Sequence, residues 1–208
     1  STKIELQPIY GNNSNIPSAR RDHSMVAIGS NIYIFGGYNG ADYNNDLYKI
    51  NINNNISEKI TLTGIGNDIP EKRINHHMVV VDNYIYILLG YNTYYNLFGN
   101  THYTRFKDLY KIDTYGNSKK LPLSYFNNIY NFDDYIETFN TTAINNDIYV
   151  FYLNVGVINY RSGGIDSTKV IHLLKITPTN REHYFDGNIA ELRINNVITS
   201  DSEIIDNY

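Results

Sequence analysis

Apolar residues in this chain come in short bursts of about 5–7 residues, set off by Gly, Asn and Asp. Met25-Val26-Ala27-Ile28 is followed, after a brief polar turn, by Ile32-Tyr33-Ile34-Phe35. Met78-Val79-Val80-Val81 leads in the same way to Ile85-Tyr86-Ile87-Leu88-Leu89. β-Branched and aromatic residues fill these runs, Ala and Leu are sparse, and Gly and Asn interrupt most helical windows. The pattern predicts an all-β chain.

The runs repeat. Pro17, Arg20 and His23 recur 53 residues on as Pro70, Arg73 and His76, ahead of equivalent strand pairs. The first pair ends in Gly36-Gly37 and the second in Leu89-Gly90. Each unit then reaches one closing word, Asp46-Leu47-Tyr48-Lys49-Ile50 and Asp108-Leu109-Tyr110-Lys111-Ile112. A third, eroded copy lacks the leading Pro, Arg and His; it runs through Thr141–Ile144 and Ile148–Phe151 to His172-Leu173-Leu174-Lys175-Ile176. A further strand precedes each copy: Lys3–Leu6, Lys59–Leu62 and Lys119–Leu123. Each unit is therefore read as four strands, a (Ser24–Ile28), b (Ile32–Phe35), c (Leu47–Asn51) and d (Lys59–Leu62) in the first.

Pro-x-x-Arg-x-x-His-Ser, an apolar strand, Ile-Tyr-Ile-Phe-Gly-Gly and Asp-Leu-Tyr together resemble the kelch repeat. The resemblance covers about residues 1–177 and implies four-stranded blades of a β-propeller, in units of about 1–56, 57–117 and 118–177. It departs from the family's usual pattern in having no Trp after the closing strand. It implies structural roles for Arg20, His23, Arg73 and His76, as hydrogen-bond donors to the neighbouring blade's backbone. Within strand b, Ile and Phe are expected to face one neighbour and Tyr the other. Gly36 and Gly37 are expected where a Cβ would crowd the propeller axis.

Three blades fall short of the about four to eight that close a propeller. The chain begins without Met, so it reads first as part of a longer propeller or as a partner of other chains or blades; a fourth blade from the tail is the remaining reading. Tail residues 178–208 carry Tyr184-Phe185-Asp186-Gly187-Asn188-Ile189-Ala190-Glu191-Leu192-Arg193-Ile194, then Ser200-Asp201-Ser202-Glu203-Ile204. This resembles the end of a laminin-G-like (concanavalin-type) jelly roll, and equally a strand finishing the last blade.

Composition narrows the chemistry. A formal charge of −4 with scattered Lys and Arg leaves no clustered basic face for nucleic acid. Cysteine is absent, which excludes disulfides and the Tyr–Cys copper site of kelch-type oxidases. No apolar run approaches the length of a membrane helix, so no membrane insertion is expected. His76-His77 on a strand point to opposite faces, Asp133-Asp134 is a lone acidic pair, and no metal, phosphate-loop or nucleophile-elbow motif occurs. No catalytic residue, metal or cofactor is expected. High Asn, Ile and Tyr content reads as AT-rich codon usage, and as a polar aromatic surface suited to sugars.

Strand alternation places the b–c and d–a connections at one end of each blade, and these are the long ones: 38–45, 91–107, 154–169 and 64–75. Tyr38, Asn39, Tyr43, Asn92, Tyr94, Tyr95, His102, Tyr103, Arg105, Tyr160 and Arg161 are the candidate ligand-binding residues there. The expected function is a non-catalytic binding module for a glycan or protein receptor, on an extracellular, cell-surface or phage-tail-like structure. An intracellular (cytoplasmic) kelch interaction scaffold is the alternative, and part of a propeller hydrolase or oxidase is the third reading.

Overall fold

A computed structural model describes residues 3–95, 99–122, 136–155, 169–176, 178 and 189–192, and over these the chain is all-β. Strands β1 (Gln7–Pro8), β2 (Ser24–Ile28), β3 (Asn31–Phe35), β4 (Leu47–Asn51) and β5 (Ile56–Ile60) form the first sheet, in order β1-β5-β4-β3-β2. Strands β6 (His77–Val81), β7 (Tyr84–Leu88), β10 (Leu109–Ile112) and β11 (Ser118–Leu121) form the second. Between β7 and β10, β8 (Tyr91–Tyr95) and β9 (Thr101–Arg105) pair as a separate ribbon. The third sheet is β12 (Ile136–Ile144), β13 (Asp147–Val155), β14 (Lys169–Ile176) and β15 (Ile189–Leu192). Left-handed residues Gly29 (φ 57°) and Asp82-Asn83 (φ 49° and 63°) make the tight a–b turns.

Several boundaries differ from the sequence reading. Strand d of the first unit is Ile56–Ile60 and completes the first sheet, so that unit runs past 56. The short c–d turn forces the two strands to be antiparallel neighbours, while the long link after Ile60 frees the chain to start a new sheet. Lys3–Leu6 is not a strand; the edge pairing is only Gln7–Pro8, where Pro8 has no N–H to continue a ladder. Tail residues Ile189–Leu192 pair antiparallel with β14 as the third sheet's fourth strand, and 193–208 lie outside the described residues.

Tyr33 and Phe35, two residues apart, share one face of β3, and Ile32 and Ile34 share the other; Phe35 therefore does not side with the isoleucines. Tyr33, Phe35, Leu47 and Ile60 of the first sheet meet Met78, Ile85, Ile87, Tyr110 and Ile112 of the second. The second sheet's opposite face, with Val79, Val81, Tyr86, Leu88 and Leu109, meets Ile148, Val150 and Ile176 of the third. The second sheet is thus buried on both faces, and the packing does without Trp. Burial of each such aliphatic side chain contributes about 1.5–3 kcal/mol.

Repeat residues Arg20 and Arg73 act within their own sheets, not on the neighbour's backbone. Arg73 Nη1 and Nη2 donate to Asp108 Oδ1 and Oδ2 at 2.6 and 3.0 Å, and Nη1 also donates to the Leu89 carbonyl at 2.9 Å. Its guanidinium lies 4.1 Å from the Phe106 ring centroid and is fully buried. In the first sheet Arg20 Nη1 reaches Asp46 at 2.5 Å and the Gly36 carbonyl at 2.9 Å. One clasp, made twice, ties the lead-in to strand a, the end of b and the start of c. Pro17 and Pro70 stand three residues before the two arginines, in the extended lead-ins.

Of the two repeat histidines His76 reaches the neighbouring sheet, by ring packing and not by the expected hydrogen bond to its backbone. His76 packs edge-on against Phe35, with ring centroids 5.2 Å apart, and a Cβ on Gly36 would come 2.8 Å from its ring. Gly36 (φ 65°) thus makes room for the next blade's histidine and Gly37 (φ 93°) for its own blade's Arg21 and His23; Gly90 (φ 88°) repeats the second role against Ile74 and His76. His23 is exposed, because the face of the first sheet that carries it meets no other described sheet.

Outside these cores, the links ahead of the first two blades each run along the blade's own strand d. Asn15 Oδ1 accepts from Lys59 N and Asp68 Oδ1 from Lys120 N, both at 3.0 Å. Ser57 and Ser118, both buried, return a bond to the Asn15 and Asp68 carbonyls.

Two outcomes are expected. Asp108→Ala leaves Arg73 buried and unpaired and should cost about 3–5 kcal/mol in denaturant unfolding, whereas Asp113→Ala, on a partly exposed turn, should cost far less. Burial, then the charge of Arg73, pushes the His76 pKa down to about 3, the nearby Phe35 carbonyl weakly opposing, and neither ring nitrogen has a hydrogen-bond partner. The unfolded chain therefore takes up a proton near pH 6.5 that the folded one refuses, so stability falls as pH drops below 6.5, by up to about 1.4 kcal/mol per pH unit from this group. His77, also lowered by burial, adds to the slope. Unfolding free energies between pH 7 and 5 should show a shallower slope in His76→Phe.

Candidate recognition surface

The b–c and d–a connections meet at one end of the first two sheets. Asn39 closes its own turn: Oδ1 accepts from Ala41 N at 2.9 Å and Asp42 N at 2.8 Å. Tyr38 pairs through its backbone with Arg21 at 2.9 and 3.0 Å, which ties the loop to the lead-in of strand a. Across the seam, Arg73 N donates to the Asn44 carbonyl at 3.1 Å and Asn45 Nδ2 to the Pro70 carbonyl at 3.3 Å. Lys72 Nζ sits 2.6 Å from Asp42 Oδ2, and that hydrogen bond holds the Asp42 carboxyl below the usual carboxylate range.

The expected loop at 91–107 is largely the β8–β9 ribbon. Its five-residue register is regular, from Tyr91 opposite Arg105 to Tyr95 opposite Thr101. Tyr91 exchanges backbone hydrogen bonds of 2.9 and 3.0 Å with Ile74, which roots the ribbon on the lead-in of β6. Asn92 Nδ2 donates to the Lys72 carbonyl at 3.1 Å, and Thr93 shares a hydrogen bond with the Tyr43 hydroxyl of the first sheet's loop. Asn75 Nδ2 donates to the Tyr91 hydroxyl at 3.2 Å.

Two faces result. Tyr91, Thr93, Tyr103 and Arg105 lie on one, with Tyr91 and Tyr103 rings 5.8 Å apart and the Arg105 guanidinium 5.9 Å from the Tyr103 centroid. Tyr94 and His102 stack on the other, 5.1 Å apart and 14° from parallel. Beside the first face, Tyr38 and Tyr43 rings lie 5.2 Å apart, with Arg21 over Tyr38. Tyr94 and Tyr103 are 54% and 59% exposed, enough to leave most of each ring for a partner.

Of the sequence candidates, Tyr38, Asn39, Tyr43, Asn92, Tyr94, His102, Tyr103 and Arg105 come together here. Tyr95 lies on β8 with its backbone alone described, and Tyr160 and Arg161 fall outside the described residues. Asn39, Tyr43 and Asn92 hold the loops, whereas Tyr94, Tyr103 and Arg105 are presented. Arg21, Asn75 and Thr93 were missed. The alternation Tyr91-x-Thr93 and Thr101-x-Tyr103-x-Arg105 around Gly99 is a hairpin signal that would have found the ribbon; the Tyr43–Thr93 bond has none. Among the described residues no cluster of three or more His, Asp or Glu is placed to hold a metal, and no helix is long and apolar enough to cross a membrane.

Comparison with known proteins agrees with this geometry. Kelch domain-containing protein 10 is 32% identical over 74 residues, 36% of this chain, in Rattus norvegicus and Homo sapiens; the match spans 18% and 17% of those proteins. The Rho GTPase-activating protein gacHH of Dictyostelium discoideum is 36% identical over 80 residues, 38% of this chain and 5% of that protein. The chain thus spans less than a fifth of the curated relatives it matches. Residues 5–151 match the KLHDC2/KLHL20/DRC7 Kelch-repeats domain, and with the doubled Arg–Asp clasp and the four-stranded sheets this places the chain in that kelch-repeat family.

Proposed function

We propose that this chain is a protein-binding module that recognises its partner through the ribbon end of the blades. Kelch repeats are interaction modules, which supports the class of function. The observation that carries the choice of surface is the β8–β9 ribbon: it projects Tyr94, Tyr103 and Arg105 into solvent from a base fixed to two sheets. Tyr and Arg are the residues that most often dominate protein interfaces, and Tyr offers a large amphipathic area at small entropic cost. The glycan receptor and the extracellular appendage read from composition are finer statements than this surface supports.

The test uses peptides selected on the chain from a displayed library of random linear peptides, alongside an array of immobilised glycans. Selected peptides should bind the chain, and Tyr94→Ala combined with Tyr103→Ala should weaken them by about tenfold or more. The thermal midpoint should stay nearly unchanged, because both rings are exposed. Binding to glycans alone, or peptide binding indifferent to both tyrosines, defeats the proposal.

A further inference from the structure

The ribbon has one edge joined to the body and one edge open. Both the N–H and the C=O of Tyr91 are committed to Ile74, so they point away from β9. Tyr91 and Arg105 are therefore a non-hydrogen-bonded pair, and the antiparallel ladder alternates from there. Asn92 with Thr104 and Tyr94 with His102 exchange the bonds that hold the ribbon. Thr101, Tyr103 and Arg105 consequently direct their N–H and C=O groups outward from β9. All five residues of β9 are exposed, and among the described residues nothing pairs with these three backbones.

This edge lacks three of the usual protections, although Arg105 puts one charge on it. It carries no Pro, its register has no bulge, and no described strand or loop covers it. Such an edge is a template for an added strand, in which main-chain bonds supply affinity and alternate side chains supply specificity. We propose that β9 takes up an extended segment of a protein partner by strand addition, and that this segment carries a carboxylate side chain opposite Arg105. The proposal rests on the reading of the ribbon as a protein-binding surface and adds the mode and the chemistry.

Charge complementarity sets the occupant. Among the described residues Arg105 has no carboxylate partner; its one contact is the face of Tyr103. A strand laid along β9 brings side chains to about 4.5–5.5 Å, Cβ to Cβ, of those on the same face. Opposite Arg105 that position favours Asp or Glu, and opposite Tyr103 an aromatic or β-branched residue. His102 and Thr104 face the other way and leave this side to Thr101, Tyr103 and Arg105.

The experiment again uses peptides selected from the displayed linear library, with the full chain. On binding, amide exchange should slow at Thr101, Tyr103 and Arg105, while His102 and Thr104, already bonded within the ribbon, should change little. Thr101→Pro removes one outward donor at a strand start without touching the ribbon's own ladder, and should weaken the peptides about tenfold. Thr101→Ala keeps the donor and should bind within about twofold. Arg105→Glu should shift selection from acidic to basic peptides. If peptides bind with Tyr94 and Tyr103 dependence but the three amides stay unprotected, the strand-addition mode is overturned and the protein-binding reading survives. Selection of no peptide overturns both. Protection that rises with concentration of the chain alone identifies a second copy as the occupant and overturns the partner segment. The exchange readout on the unmodified chain decides the matter even if Thr101→Pro disturbs the ribbon.

Discussion

The clasp between Arg73 and Asp108 is the constraint on which the second blade depends. A guanidinium with no solvent exposure is tolerable only because every direction it faces is answered: two carboxylate oxygens, the Leu89 and Glu71 carbonyls, and the Phe106 ring. Leu89 turns its carbonyl toward the arginine by adopting φ 62°, a conformation that glycine takes more easily and that Gly36 takes in the first blade. The same contacts fix where β7 ends and where β10 begins, and so fix the root from which the ribbon springs. The first blade repeats the device with Arg20, Asp46 and the Gly36 carbonyl. A charge clasp at the end of each of the first two sheets thus sets a direction that a purely apolar core leaves open.

Between blades the logic is different. Glycine at 36 admits the His76 ring, the Ser24 hydroxyl donates to the His76 carbonyl, and Gly37 N donates to the Arg73 carbonyl at 3.0 Å. The seam is therefore apolar in its body and hydrogen-bonded at the end that carries the recognition surface. Met25 and Met78 occupy one repeat position yet are 62% and 8% exposed, because only the second has a described blade against it. The same comparison explains His23 and His76. Position in the repeat determines which face a residue takes, and the neighbouring blade determines whether that face is dry.

Much of this was legible beforehand. The alternation within each run, the doubled Pro-x-x-Arg-x-x-His and the Asp-Leu-Tyr closing word placed β2, β3, β4, β6, β7 and β10 nearly where they lie. Strand d was harder, because Ile56-Ser57-Glu58-Lys59-Ile60 exposes Ile56 and buries Ser57, so it shows no apolar alternation, and it is held by Asn15 from far upstream. The ribbon is less legible because β9 is exposed throughout, so its alternation is one of β-branched, aromatic and charged residues without a buried apolar face. The tail pattern suits the end of a laminin-G-like jelly roll and a strand finishing the last blade equally, and Ile189–Leu192 pair with β14.

By itself the sequence determined the blade: local alternation and turn chemistry are short-range, and they survive in the pattern of residues. It also named most of the side chains at the recognition end, since strand direction alone sends the long connections there. Tertiary structure decided which of them are presented and which are spent on holding loops, because Tyr43 meets Thr93, and Asn92 meets the Lys72 carbonyl, only once two blades are packed. It decided as well that Arg20 and Arg73 serve their own blade. The bonds that matter there, Arg20 to Asp46 and Arg73 to Asp108, span 26 and 35 residues, and no local pattern carries a preference for a partner at that distance.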